Sequence, residues 1–381
     1  MKRLTLFTTL RIRYRFSPSG LNSNVQNIKH LNAMKRVSLL AGLFLLMSTS
    51  LFAEEPFSVQ TFSPAVTSTI NTVEVTTSNG RIILSGNAMS RAVVEMFVTQ
   101  NNVVGLSRMR RSNEDIQQIL NEEYIIDIRV EKGTLYASAR LKNPTQTGRQ
   151  KLNISFRVTV PEHVNSELRT TNAGVSLSNL SGVHNFRTTN GSLTVDNVSG
   201  RVIGKTTNGS VTVTNSGDEI NITTTNGSMT ARNLLGAITL KTTNGSININ
   251  NVNGVIHTTS SNGSVTANTL AGEFRTSTSN GSVRLTNISG NVNARTTNGG
   301  INATMVSVEN FVTLSTTNGN INLTVPSGKG YELLARAQRI TTSGLANFNG
   351  ITDTRTLDGR TGNGGAKIDL RTSGRANLTF N

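Results

Sequence analysis

The chain has 381 residues, a formal net charge of +16, 4% aromatic residues, and neither Cys nor Trp. The lack of Cys excludes a disulfide framework, a thiolate zinc site and a lipid anchor on an N-terminal Cys. The scarcity of aromatics argues against stacking platforms for single-stranded nucleic acid or sugar rings.

Residues 1–33 are Arg-rich, lack acids and precede a credible initiator, Met34. They read as an over-called start, with a transit leader as the alternative. From Met34-Lys35-Arg36 an apolar run extends over 37–53, followed by Glu54-Glu55-Pro56. A basic start, an apolar middle and a small residue at the end make a secretory signal peptide over 34–53, with cleavage expected after Ala53. An uncleaved anchor is the alternative reading, although the run is near the short limit for a span. The expectation is an exported protein: periplasmic, on the outer cell surface, or secreted. No later apolar run is long enough to cross a membrane. Residues 1–53 hold eight of the 37 basic residues and no acids, so the remainder carries 29 basic and 21 acidic residues, a net of +8. That balance favours anionic partners without requiring them.

Residues 54–171 read as a β-rich N-terminal region. Thr76-Thr77-Ser78-Asn79-Gly80 echoes a motif repeated downstream, and so suggests an early coil separated from the later ones by an insertion. A short helix is expected at about 113–123. Ser112 or Asn113 can cap it, Glu114 and Asp115 suit its positive end, and Ile116, Ile119 and Leu120 form its apolar stripe. Lys132-Gly133 can turn a strand at 126–130 onto one carrying Leu135, Ala137, Ala139 and Leu141. Leu152, Ile154, Phe156, Val158 and Val160 alternate with polar residues, the pattern of a strand with one buried face.

Over 172–325 an Asn recurs at Asn172, Asn190, Asn208, Asn226, Asn244, Asn262, Asn280, Asn298 and Asn318, at gaps of 18 residues and a last gap of 20. All but the first are followed by Gly. A turn signal at so short a fixed period means a solenoid. With Asn as position 1, positions 4 and 6 are apolar (Leu193 and Val195, Val211 and Val213, Ile247 and Ile249) and face a core. Asn is common at position 8, Gly at position 11, and apolar residues return at positions 13 and 15. Each coil is therefore two strands and two corners, and nine coils stack to about 40 Å at the strand spacing. Pro161 and Pro326 flank this array, and no Pro interrupts it. The Asn column is read structurally: Asn and Gly both tolerate the left-handed conformation of a tight corner, and buried amides of successive coils can form a ladder. Thr at positions 17 and 18 needs only its β-propensity. In the tail, 326–381, Ile368, Leu370, Leu378 and Phe380 suggest closing strands of C-terminal coils or a cap.

Catalytic and cofactor chemistry finds little support. His184 and His257 lie four coils apart, too far to share a site. Asp218-Glu219 is the one adjacent pair among the few acids of the array, and no Asp recurs as calcium-binding repeats require. A polysaccharide-active β-helix enzyme is thus the weakest alternative; no catalytic, cofactor or metal residue is assigned. Position 16 carries Arg187, Lys205, Lys241 and Arg295, a basic stripe that reads either as a solvated face or as a reader of an anionic glycan or cell-surface polymer. Nucleic acid is not expected as a partner. Charged residues and Asn interrupt the Thr columns, which weighs against an ice-binding face.

The signal peptide, the lead-in ending at Val158-Thr159-Val160-Pro161, the Thr-Thr-Asn-Gly-Ser-Val-Thr-Val repeats and the Gly-rich tail from Gly362 to Gly374 together resemble the bacterial putative adhesin domain family. This is a domain-of-unknown-function group of β-solenoids, similar also to the head-GIN type. The resemblance covers about 70–381 and implies a cell-envelope or surface role without catalytic residues. The long helix-containing segment at 100–125 departs from it. The expected fold is all-β: a parallel β-helix or β-solenoid of 18-residue coils, preceded by a β-rich region with one short helix. The expected function is an exported, non-catalytic adhesin or envelope interaction module. A periplasmic scaffold that self-associates through open strand edges is the alternative.

Overall fold

The computed structural model describes residues 57–63, 69–88, 91–100, 112–144 and 152–381, all within one compact unit, Pro56–Asn381. The leader readings for 1–33 and 34–53 fall outside the described residues. Among the described residues the unit is all-β with a single helix, and its parallel coils make it a β-solenoid.

Each coil follows from its 18-residue pattern. Strands β9 (Val175–Arg187), β10 (Leu193–Lys205), β13 (Met229–Lys241), β14 (Ile247–Ser260), β15 (Val265–Thr278) and β16 (Val283–Thr296) pair in parallel, position for position, through the intervening β11 (Val211–Thr214) and β12 (Gly217–Thr223). Positions 4, 6 and 13 point inward and are buried, as in Val211, Val213 and Ile220, or Ile247, Ile249 and Ile256. Burying each such side chain contributes about 1.5–3 kcal/mol. The core adapts locally: Phe186 fills position 15 of one coil, and Gly204 at position 15 of the next leaves room for it. A Cβ on Gly204 would lie 2.9 Å from the Phe186 ring.

The corners differ from the sequence expectation. The left-handed residues are at position 8, not position 1: Asn179, Asn197, Asn215, Asn233, Asn251 and Asn287 have φ between 51° and 56°. Position 11 completes this bend, with Gly254 at φ 136° for example. The corner is therefore a kink inside a hydrogen-bonded strand rather than a gap between two strands. The Asn-Gly corner at positions 1 and 2 uses Gly for a different reason. A Cβ on Gly209 would sit 1.9 Å from the Gly191 carbonyl oxygen, so successive turns stack backbone on backbone at a distance no side chain permits.

Thr at position 17 does more than favour strand. It is buried, and its hydroxyl donates to the position-2 carbonyl of the same 18-residue repeat: Thr206 to Gly191 (2.8 Å), Thr224 to Gly209 (2.9 Å) and Thr242 to Gly227 (3.0 Å). The carbonyl that forbids a Cβ thus receives an extra donor, which keeps a buried polar group satisfied. In the 20-residue coil, β17 (Ile301–Thr316) absorbs its extra residues in register shifts against β16. Asn291 Oδ1 accepts the N–H groups of Asn310 and Phe311 there.

At both ends spatial order departs from chain order. β2 (Thr72–Thr76) and β3 (Ile82–Asn87) form the early coil that the 76–80 echo suggests. β3 lies between β9 and β7 (Leu152–Pro161), while β2 lies between β8 (Asn165–Arg169) and β6 (Thr134–Leu141). Outside these the strands reverse: β5 (Tyr124–Glu131) runs antiparallel to β6, β4 (Val93–Gln100) to β7, and β1 (Phe57–Phe62) to β4. The helix α1 (Asn113–Glu123) forms as predicted; Ser112 and Asp115 make a capping box, and Ile116 and Leu120 are buried. The 132–133 turn and the alternation along β7 also match.

At the C-terminal end the last two strands are interior, and earlier strands of the tail close the stack. β23 (Ala366–Thr372) inserts between β17 and β19 (Tyr331–Arg336), and β24 (Arg375–Phe380) inserts between β18 (Ile321–Val325) and β20 (Arg339–Ser343). Ile368, Leu370 and Leu378 are consequently interior residues. The outer layer is the antiparallel pair β21 (Phe348–Thr352) and β22 (Thr356–Thr361), with β22 on β19.

Candidate interaction surface

The position-1 Asn side chains form one continuous ladder. Each Nδ2 donates to Oδ1 of the coil before: Asn190 to Asn172, Asn208 to Asn190, Asn226 to Asn208, Asn244 to Asn226, Asn262 to Asn244, Asn280 to Asn262, Asn298 to Asn280 and Asn318 to Asn298, at 2.7–2.8 Å. The early coil joins it, since Asn172 donates to Asn79 at 2.7 Å. The ladder is exposed, not buried as expected. The sequence reading missed a second, shorter ladder at position 8, where Asn197 donates to Asn179, Asn233 to Asn215 and Asn251 to Asn233.

The predicted basic stripe is a real column. Parallel register aligns Arg187 with Lys205, Lys205 with Thr223, Thr223 with Lys241, Lys241 with Thr259, Thr259 with Ser277, and Ser277 with Arg295. The column continues through Arg169 at one end, and through Ser315, Arg371 and Arg336 at the other. Counting back 18 residues from Arg187 would have found Arg169. Arg371 and Arg336 were not accessible to counting, because their strands are out of chain order. Arg187, Lys205, Lys241 and Arg295 are exposed and carry no ion pair among the described residues. Arg169 and Arg371 are bound to Glu167 and Asp369 of their own strands.

Acids near the stripe are committed elsewhere. Glu219 pairs with Arg201, and Glu273 with Arg275. Asp218 Oδ2 accepts the Gly200 N–H at 2.7 Å, and Asp196 Oδ1 accepts from Thr214 and Asn215. The Asp218-Glu219 pair is thus divided between a backbone contact and an ion pair. Of the two repeat histidines, His257 faces solvent, whereas His184 is fully buried at position 13. Its Nδ1 meets Ser166 Oγ at 2.9 Å, its Nε2 lacks a partner, and burial pulls its pKa down to about 4. At the second corner His163 Nδ1 contacts Ser181 Oγ, and Leu235 and Val306 border a shallow groove of mixed polarity that Asn233, Asn251 and Asn287 also line. Among the described residues no three His, Cys, Asp or Glu side chains gather as a metal site, and no helix is long and apolar enough to cross a membrane.

Residues 268–374 match the family model described as Toastrack DUF4097, so this stretch carries a Toastrack domain, a domain of unknown function. Over 268–374 the match bears out the resemblance to a domain-of-unknown-function family. No curated protein matches the chain. Similar solved structures include a putative cell adhesion protein from Clostridium sporogenes, at 10% identity, covering 86% of this chain and 100% of that one, with a TM-score of 0.20. They include also a putative adhesin from Bacteroides fragilis (11%, 84% and 96%, TM-score 0.24) and one from Parabacteroides merdae (11%, 84% and 95%, TM-score 0.26).

Proposed function

We propose that this chain, which carries a Toastrack domain over 268–374, is exported and acts as a non-catalytic interaction module of the cell envelope, presenting repeated polar side chains to a polymer or cell surface. One observation carries the reading: a band around the Asn-Gly corner that repeats from Asn190 onward, coil after coil, without an apolar side chain. Position 18 offers Thr or Ser from Thr171 to Thr317, position 1 the Asn ladder, and position 3 Ser192, Ser210, Ser228, Ser246, Ser264 and Ser282. Groups repeated at the strand spacing suit a repetitive partner, because individually weak contacts add through multivalency. The leader at 34–53 supports export, and the structural commitments of Asp196, Asp218, Glu219 and Glu273 support a non-catalytic role.

Expression of the full chain in a bacterial host tests the reading. The mature protein is expected to begin at Glu54, to fractionate with the envelope or medium, and to bind bacterial cells once purified. Retention in the cytoplasm with the leader intact, or no binding to any cell surface, would overturn it.

A further inference from the structure

We infer that the position-16 column, with the hydroxyl and amide columns at positions 18 and 1 beside it, is a binding track for a linear acidic polysaccharide lying parallel to the stacking direction. The inference rests on the envelope-module reading and deepens it. From Arg169 through Arg371 to Arg336, every row of the column is Arg, Lys, Thr or Ser, with no acidic and no apolar residue. A merely solvated face needs no such restriction. The other outward columns of the same limb do not obey it: position 14 includes Ile203, and position 12 includes Val183, Glu219 and Glu273.

Charge pairing delimits the track. Glu167 neutralises Arg169 at one end, and Asp369 neutralises Arg371 near the other, with Arg336 one row beyond. Between them Arg187, Lys205, Lys241 and Arg295 are unpaired among the described residues. Arg187 and Arg295 are six rows apart, about 29 Å at the strand spacing. The rows between the cations hold Thr223, Thr259 and Ser277, which can donate to and accept from sugar hydroxyls. Position 18 adds a second line of hydroxyls, and the Asn ladder a line of amides. Because each Asn spends one N–H and one carbonyl lone pair on its neighbours, the other N–H and lone pair stay available at a fixed orientation. An extended sugar chain advances by close to one strand spacing per residue, so anionic groups can reach the cations while hydroxyls meet the rows between. Nucleic acid fits less well, since the track holds no aromatic side chain for base stacking.

Binding of the mature chain to polygalacturonate, dextran sulfate, neutral dextran and single-stranded DNA tests this. Long polygalacturonate or dextran sulfate is expected to bind, with affinity falling as salt rises and falling steeply for oligomers shorter than the track. The first probe supports a carboxylated ligand, the second a sulfated one. The double variant Lys205→Glu, Lys241→Glu is expected to bind at least about tenfold more weakly, the scale of two surface charge contacts. Lys205→Gln, Lys241→Gln should fall between. Neither lysine side chain has a partner to lose among the described residues, so unchanged thermal melting shows that the variants fold. Undiminished binding by the Glu variant, tighter binding of DNA, or binding of neither acidic polymer would overturn the inference. If wild type and variants bind cells equally well, the track fails while the envelope-module reading survives. If wild type binds no cells, that reading fails.

Discussion

His184 occupies a position where other coils place Val, Ile or Phe, and its burial has a price in acid. Its folded pKa of about 4 lies below the ordinary histidine value of 6.5, so the native state refuses a proton that the unfolded chain accepts. Stability is therefore fully present above pH 6.5 and falls as the pH drops towards 4, by up to about 3 kcal/mol. Denaturant melts at pH 7, 5 and 4 should show this slope in wild type and lose it in His184→Leu; identical slopes would refute the assignment. Glycine at position 2 is equally exacting. Gly209→Ala forces a Cβ against a backbone oxygen that cannot move without opening the stack, and should cost about 3 kcal/mol or more. Gly204→Ala meets side chains rather than backbone, the Phe186 ring at 2.9 Å and Ile222 Cγ1 at 3.2 Å, so a smaller loss is expected, with partial recovery in Gly204→Ala, Phe186→Leu. Calorimetry of these variants separates backbone from side-chain obstruction. Asn and Gly could be recognised as corner residues from sequence. Which corner needed positive φ and which needed close approach could not, because both demands select the same residue types.

A coil is held by two kinds of ladder besides its backbone bonds. The inner one, Thr hydroxyl to Gly carbonyl, is buried; the outer one, Asn to Asn, is exposed. Thr242→Val keeps the shape and removes the donor to Gly227, at an expected cost of about 1–2 kcal/mol in chemical unfolding. Asn244→Asp keeps the acceptor for Asn262 but sets a carboxylate against Asn226 Oδ1 where an N–H had donated. Its smaller penalty, about 1 kcal/mol at neutral pH, should fade as the new carboxyl protonates in acid. A penalty independent of pH would show that the outer ladder contributes through something other than hydrogen bonding. The period announced the strands and their inward positions; the ladder at position 17 did not stand out, since Thr in a strand has a sufficient local reason to be there.

The described unit ends in reversed strands, β1 and β5, on one side; on the other the β21–β22 pair reverses one limb, while the parallel β20 ends the second. A parallel coil can extend only by adding another parallel coil in register. An antiparallel outer strand breaks that pattern, and β5 adds the charged residues Asp127, Arg129 and Glu131. The mature chain is accordingly expected to remain a monomer in light scattering at rising concentration. Concentration-dependent filaments would instead favour the scaffold alternative.

The repeat by itself determined the solenoid, its 18-residue coil, its core positions, the Asn column and the basic stripe, because each depends on spacing within one coil and recurs until chance is excluded. Tertiary structure alone decided the interleaving of β2–β3 and β23–β24, and the joining of Asn79 to the ladder and of Arg371 and Arg336 to the cation column. Those contacts pair strands distant in sequence at the two ends, where no period operates and only hydrogen-bond register and packing settle which strand lies beside which.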